Sequence, residues 1–195
     1  MKTAVATEQD ISKPTLGFWI YIMTDCLLFA SLFATYAVLY RNTAGGQGGY
    51  QLFDLKNVLL ETLILLTSSF TCGLAMLAAH KNERNKTVFW FLVTFLLGIA
   101  FLTLEITEFK HFVAIGDSWR RSGFLSSFFT LVGTHGLHIT VGLLWMATLV
   151  WQLVKKGLRS GLIKRLTLLS MFWHFLDIVW IFIFTIVYLH GAIAP

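Results

Sequence analysis

From the N-terminus onward, long apolar runs alternate with short polar connections. Five runs, at about residues 16–40, 55–79, 87–109, 124–154 and 166–190, are long enough to cross a hydrocarbon core of about 30 Å, which takes about 20 helical residues. The runs are continuous rather than alternating, and lipid offers no partner to open backbone groups, so they are predicted to be helices. The glycine-rich turn Ala44 to Gly49 reads as a flexible loop. The expected fold is all-α: a polytopic membrane protein, a five-helix bundle forming one membrane domain over 1–195, with no second domain.

Composition agrees with the pattern. With 56% hydrophobic and 13% charged residues, the chain falls far from the roughly 25% charge of soluble domains. The net charge of +5 does not indicate nucleic acid, because the basic residues sit in short loops between apolar runs. Cys26 and Cys72 lie inside apolar runs with no CxxC spacing, which fits buried thiols rather than a disulfide or zinc framework. The first residues carry Lys2, Glu8, Asp10, Lys13 and Pro14 without an apolar core, so no cleavable leader is expected before the first run. Ten Lys and Arg residues fall on the side of the N-terminus and five on the other. That bias predicts a cytoplasmic N-terminus and an external C-terminus.

The informative residues are the polar groups inside the runs. The segment Phe172 to Trp180, FWHFLDIVW, places His174 and Asp177 on one helical face, with Trp173 and Trp180 on a neighbouring one. At about 1.5 Å per residue, Asp25 lies roughly 13 Å, and His174 and Asp177 roughly 12–16 Å, from the cytoplasmic edge. His135 and His138 lie roughly 16–21 Å from the opposite edge, also near mid-membrane. Charged groups in a bilayer face the protein interior and pair, so the first, fourth and fifth helices are expected to adjoin or to face a common partner.

A second layer, toward the outer side, holds Glu61, Glu105 and Glu108. Glu108 is expected to pair with a nearby base among Lys110, His111, Arg120 and Arg121, while Glu61 and Glu105 are deeper and suit either structural pairing or a proton-related role. The segment GTHGLHITVG, Gly133 to Gly142, carries a stripe of small residues that lets a neighbouring helix approach closely. His135 and His138, at i, i+3, raise metal or haem ligation, but no HExxH, CxxCH or third clustered ligand accompanies them.

Four segments together carry a family resemblance: GFWIYIMTDCLLFASLFATYAVL (Gly17 to Leu39), ETLILLTSS (Glu61 to Ser69), THGLH (Thr134 to His138) and FWHFLDIVWIFIFTIVY (Phe172 to Tyr188). The chain resembles subunit III of the haem-copper terminal oxidases, in particular the short, five-helix form found in bacterial cytochrome o ubiquinol oxidases. The resemblance covers nearly everything after Leu16. It implies a non-catalytic subunit of the bacterial cytoplasmic membrane, part of a proton-pumping quinol:oxygen oxidoreductase, that docks on catalytic subunit I beside subunit II and a small subunit IV. It also implies a cleft holding structural phospholipid, with haem and copper in subunit I and none bound by this chain. Where cytochrome c oxidases carry a glutamate, this sequence has Asp25, one methylene shorter. Longer members have two upstream helices whose lipid and partner contacts are not transferred here.

On this reading no residue is catalytic, cofactor-binding or metal-binding, and Asp25, His135, His138, His174 and Asp177 hold the bundle and shape the lipid cleft. The electron donor, whether ubiquinol, menaquinol or cytochrome c, is handled by other subunits and leaves no mark here. Two other classes were weighed. A proton-coupled transporter using the buried carboxylates lacks the paired halves usual for such folds. A small cytochrome ligating haem through His135 and His174 would show a Soret band.

Overall fold

The computed structural model describes residues 13–44, 54–116 and 119–193. Five long helices follow one another: α1 (Lys13–Leu39), α2 (Leu55–His80), α3 (Arg84–Ala114), α4 (Gly123–Lys156) and α5 (Ser160–Phe182). The last continues as a π-helical segment, Ile183–Leu189, and a final turn, His190–Ile193. No strand occurs among the described residues. All five helices are long and apolar enough to span a membrane, so the chain is a multi-pass membrane protein. The glycine-rich turn beyond Ala44, and the residues before Lys13, lie outside the described residues.

Each helix end has a local cause. Asp54 caps α2 by accepting from the Lys56 N–H at 3.1 Å, and Ser122 caps α4 by accepting from the Leu125 N–H at 3.2 Å. Gly157, at φ +71° and ψ 179°, takes a positive-φ conformation suited to glycine, and α4 stops there. Helix α5 begins at Ser160, six residues before the apolar run at 166. Lys164 and Arg165, expected in the loop, are helical; their long stems keep the charges near the interface while the backbone stays hydrogen-bonded.

Helix α5 is the core of the bundle. It packs on α1, α2 and α4, and Leu166, Leu169, Phe172, Trp173, Leu176 and Trp180 are buried along it. Helices α2 and α3 form an antiparallel pair, α3 adjoins α4, and α1 lies on α4 and α5. Peripheral α1 buries a narrow stripe, Ile22, Asp25, Phe29 and Tyr36, at the i, i+3, i+7 spacing of one helical face. Cys26, next to that stripe, is exposed while Cys72 is buried; the expectation of two buried thiols holds for Cys72 alone.

Candidate functional site

The centre of the molecule is built on the tryptophans of α5. Trp173 donates its indole N–H to Ser68 Oγ at 3.0 Å, and Trp180 donates to Thr62 Oγ1 at 3.0 Å. Both acceptors lie on α2, and both hydroxyls donate in turn to carbonyls one turn back, Leu65 and Val58. Two indole donors that lipid would leave unmatched are thereby satisfied. The Trp173 ring also fills space left by two glycines. A Cβ on Gly98 of α3 would stand 2.9 Å from its Cη2, and one on Gly142 of α4 would stand 3.2 Å from its Cζ3. One side chain thus ties three helices to α5.

The five groups expected near mid-membrane divide between the two sides of α5. On the α1 side, His138 Nε2 is 3.7 Å from Asp25 Oδ2. His138 Nδ1 lies 2.7 Å from the Thr134 carbonyl, which can only accept, so Nδ1 carries a hydrogen. On the α2 side, His174 Nδ1 is hydrogen-bonded to Ser69 Oγ. Asp177 lies beside the same hydroxyl, although both of its oxygens are buried without a hydrogen bond.

His135 is fully buried with neither ring nitrogen hydrogen-bonded. Its ring stacks on Trp180 at 5.3 Å and meets Phe101 edge-on at 6.0 Å. Phe29 stands among His135, His138 and Phe175, with ring centroids 5.3–6.4 Å away. The expected adjacency of the first, fourth and fifth helices is found. The single shared cluster is not, because His174 and Asp177 turn away to α2. His135 and His174 likewise face different neighbours and do not form a common pair. Among the described residues no group of three or more His, Cys, Asp and Glu side chains is placed to hold a metal ion.

In the second layer, Glu61 and Glu105 are buried. Glu105 has Glu61 and Glu108 as electrostatic neighbours. Glu108 accepts a hydrogen bond from Tyr188 Oη at 2.8 Å, a neutral donor where a base was expected. The π-helical turns account for this: widening the helix over Ile183–Leu189 changes the angular step per residue and aims Tyr188 at α3. The space at Gly136 in the small-residue stripe is taken by the Glu105 carboxyl, whose Oε1 would be 2.5 Å from an added Cβ. At Gly136 and Gly142, the stripe of α4 accommodates side chains from its neighbours.

Ser68, Ser69, Thr62, Tyr188 and Gly98 were not singled out from the sequence. Hydroxyls in an apolar helix are common and often bond back to their own backbone. The unmatched indole donors at Trp173 and Trp180 were the usable signal.

The geometry defines a class: an all-α, multi-pass membrane bundle with much of its buried polar chemistry spent between its own helices. Residues 6–192 match the family described as cytochrome c oxidase subunit III, and the chain belongs to that family. It is 59% identical over 177 residues to the cytochrome bo(3) ubiquinol oxidase subunit 3 of Pseudomonas aeruginosa, covering 91% of this chain and 85% of that protein. It is 46% identical over 176 residues to quinol oxidase subunit 3 of Bacillus subtilis, covering 90% and 86%. It is 45% identical over 178 residues to cytochrome c oxidase subunit 3 of Bacillus sp. strain PS3, covering 91% and 86%. As a family member the chain is an accessory subunit of a haem-copper terminal oxidase, a complex that includes catalytic subunits.

Proposed function

We propose that this chain is the non-catalytic subunit III of a proton-pumping cytochrome o ubiquinol oxidase, and that it supports assembly, lipid binding and stability of catalytic subunit I. The observation that carries this is the identity of 59% to the ubiquinol oxidase subunit 3 of Pseudomonas aeruginosa over 91% of this chain. Subunit II and a small subunit IV complete the proposed complex, and haem and copper belong to subunit I. Among the described residues no group of three or more His, Cys, Asp and Glu side chains is placed to hold a metal ion.

Within that complex the buried polar groups have a structural role. The pairs Asp25–His138, His174–Ser69, Trp173–Ser68 and Trp180–Thr62 each join two helices. A lipid partner is supported by two apolar grooves along α3 and α4. One of about 330 Å³ is lined by Leu92, Phe95, Val150 and Trp151, and another of about 390 Å³ by Phe109, Lys110, Trp119 and Phe129. Their apolar walls suit acyl chains, and Lys110 at the rim of the second suits an anionic headgroup. The proposed location is the bacterial cytoplasmic membrane with the N-terminus inside.

Purification of the tagged chain in mild detergent, with mass identification of partners and a haem spectrum of the product, tests the assignment. Recovery with oxidase subunits I and II, haem and phospholipid is the expected result. Recovery as a lone, colourless polypeptide with transport activity would overturn it.

A further inference from the structure

A cleft of about 400 Å³ opens between the start of α2 and the end of α3, with Asp54, Asn57, Glu61, Thr107, Glu108 and His111 among its lining residues. None of the described lining residues is Lys or Arg. The Asp54 carboxylate is already engaged as the α2 cap, by the Lys56 N–H and by Asn57 Nδ2 at 3.1 Å. Glu61 is different. It lines the cleft, is only 3% exposed, and its Oε2 is buried with no hydrogen bond.

Glu105, one turn deeper than Glu108 on α3, is 2% exposed, and its Oε2 is likewise unmatched. The groups around these carboxyls are mostly acids or neutral. From α2 come Asp54 and Glu61, from α3 Glu108 and His111, and from the π-helical segment Tyr188, donating to Glu108. From α4, Gly136 faces Glu105, and the adjacent His135 is turned onto Trp180. From α1, the Tyr36 hydroxyl goes to the Val187 carbonyl. Lys56 and Lys110 are exposed.

Carboxylates this near one another disfavour each other's charge where they are buried and no Lys or Arg is among the described residues lining the cleft. A metal ion is a poor answer, since among the described residues no three such groups are placed to hold one. A proton fits better. It needs one oxygen lone pair, and a carboxylic acid so formed can donate to a neighbouring carboxylate.

We propose that Glu61, Glu105 and Glu108, with Tyr188, form a proton-binding cluster that holds at least one exchangeable proton and equilibrates with water through the cleft between α2 and α3. The chemistry is a carboxylate oxygen taking up H⁺ to give a carboxylic acid and releasing it again, with no redox change. The cleft supplies the aqueous route: Glu61 and Glu108 reach it directly, and Glu105 exchanges through them. The inference concerns this chain alone and does not depend on which electron donor the complex uses.

Infrared difference spectroscopy on the full-length chain, or on its purified complex, tests this. In the wild type, a pH step should change the carbonyl band of protonated carboxyl groups, and that band should shift in D₂O. Glu105→Gln and Glu61→Gln are near-isosteric with the protonated acid and should fold. Each should remove or displace part of the pH-dependent band. A band that ignores pH in the wild type would overturn the proposal. So would a band that all three of Glu61→Gln, Glu105→Gln and Glu108→Gln leave unchanged. Abolition of the band by K⁺ or Mg²⁺ at fixed pH would overturn it in favour of a metal-cation site. A wild-type band unmoved by pH would overturn the proposal even where a variant does not accumulate.

Discussion

The ring of Trp173 on α5 lies directly over Gly98 on α3, with Cη2 2.9 Å and Cζ2 3.1 Å from where a Cβ on that glycine would be. Leu143 of α4 closes the same space at 2.8 Å. Gly98→Ala should therefore lower stability by about 1–3 kcal/mol, the usual range for overfilling a packed interior. Trp173→Phe should cost about 1–2 kcal/mol, through the lost Ser68 hydrogen bond and lost ring area. Thermal unfolding of the purified protein in detergent would measure both. A Gly98→Ala protein as stable as the wild type would mean that the ring is not wedged there.

Two glycines of α4 should respond differently to the same substitution. At Gly136 an added methyl would meet Glu105 Oε1 at 2.5 Å, whereas at Gly133 the nearest atom is Phe109 Cε2 at 3.6 Å, an ordinary contact. Gly136→Ala should destabilise by about 1–3 kcal/mol. Gly133→Ala should be neutral or mildly stabilising, since alanine is favoured over glycine in a helix by about 1 kcal/mol. Equal effects at the two sites would contradict this placement of Glu105.

Asp25 and His138 should be energetically coupled across the α1–α4 contact. Polar pairs between membrane helices average about 0.6 kcal/mol in double-mutant cycles. A cycle of Asp25→Asn and His138→Gln should give coupling of that size or somewhat more. Strict additivity of the two single losses would show that the 3.7 Å approach carries no energy.

His174→Ala and Asp177→Ala should loosen the α5–α2 contact at Ser69. The expected outcome is an oxidase recovered with less than one equivalent of this chain, or with less bound phospholipid. Quantitative mass analysis of the purified complex reads both quantities. Full, lipid-replete complexes from both variants would count against a bundle-holding role for these residues.

Orientation is testable separately. With the N-terminus inside, reporter fusions after Gly45 and after Pro195 should both give signals typical of the external side. Cytoplasmic signals at both points would reverse the topology.

The helices were legible because a continuous apolar run of membrane length has few other structural outcomes. The meeting of Asp25 and His138 was legible for a related reason: rise per residue converts sequence position into height along the bundle, and the two stand 3.7 Å apart. Direction around each helix was harder. Linear counting did not turn His174 toward Ser69 on α2, because rotation about the axis depends on packing. Tyr188 illustrates the limit most clearly. Its aim at Glu108 depends on π-helical turns that no apolar pattern announces. Resemblance added the family, which periodicity and composition alone could not supply.

The central place of α5 has a consequence for biogenesis. Chain synthesis proceeds from the N-terminus, so the core element α5 is made after the four helices that it joins. Until it arrives, Ser68 and Thr62 on α2 lack the indole donors they receive in the finished molecule, and Glu108 lacks its phenol. The first four helices therefore wait in the membrane with their inner faces unsealed. Closure comes only with α5 and its π-helical continuation, so a chain halted before Trp173 lacks both indole donors and the Tyr188 phenol that join the helices.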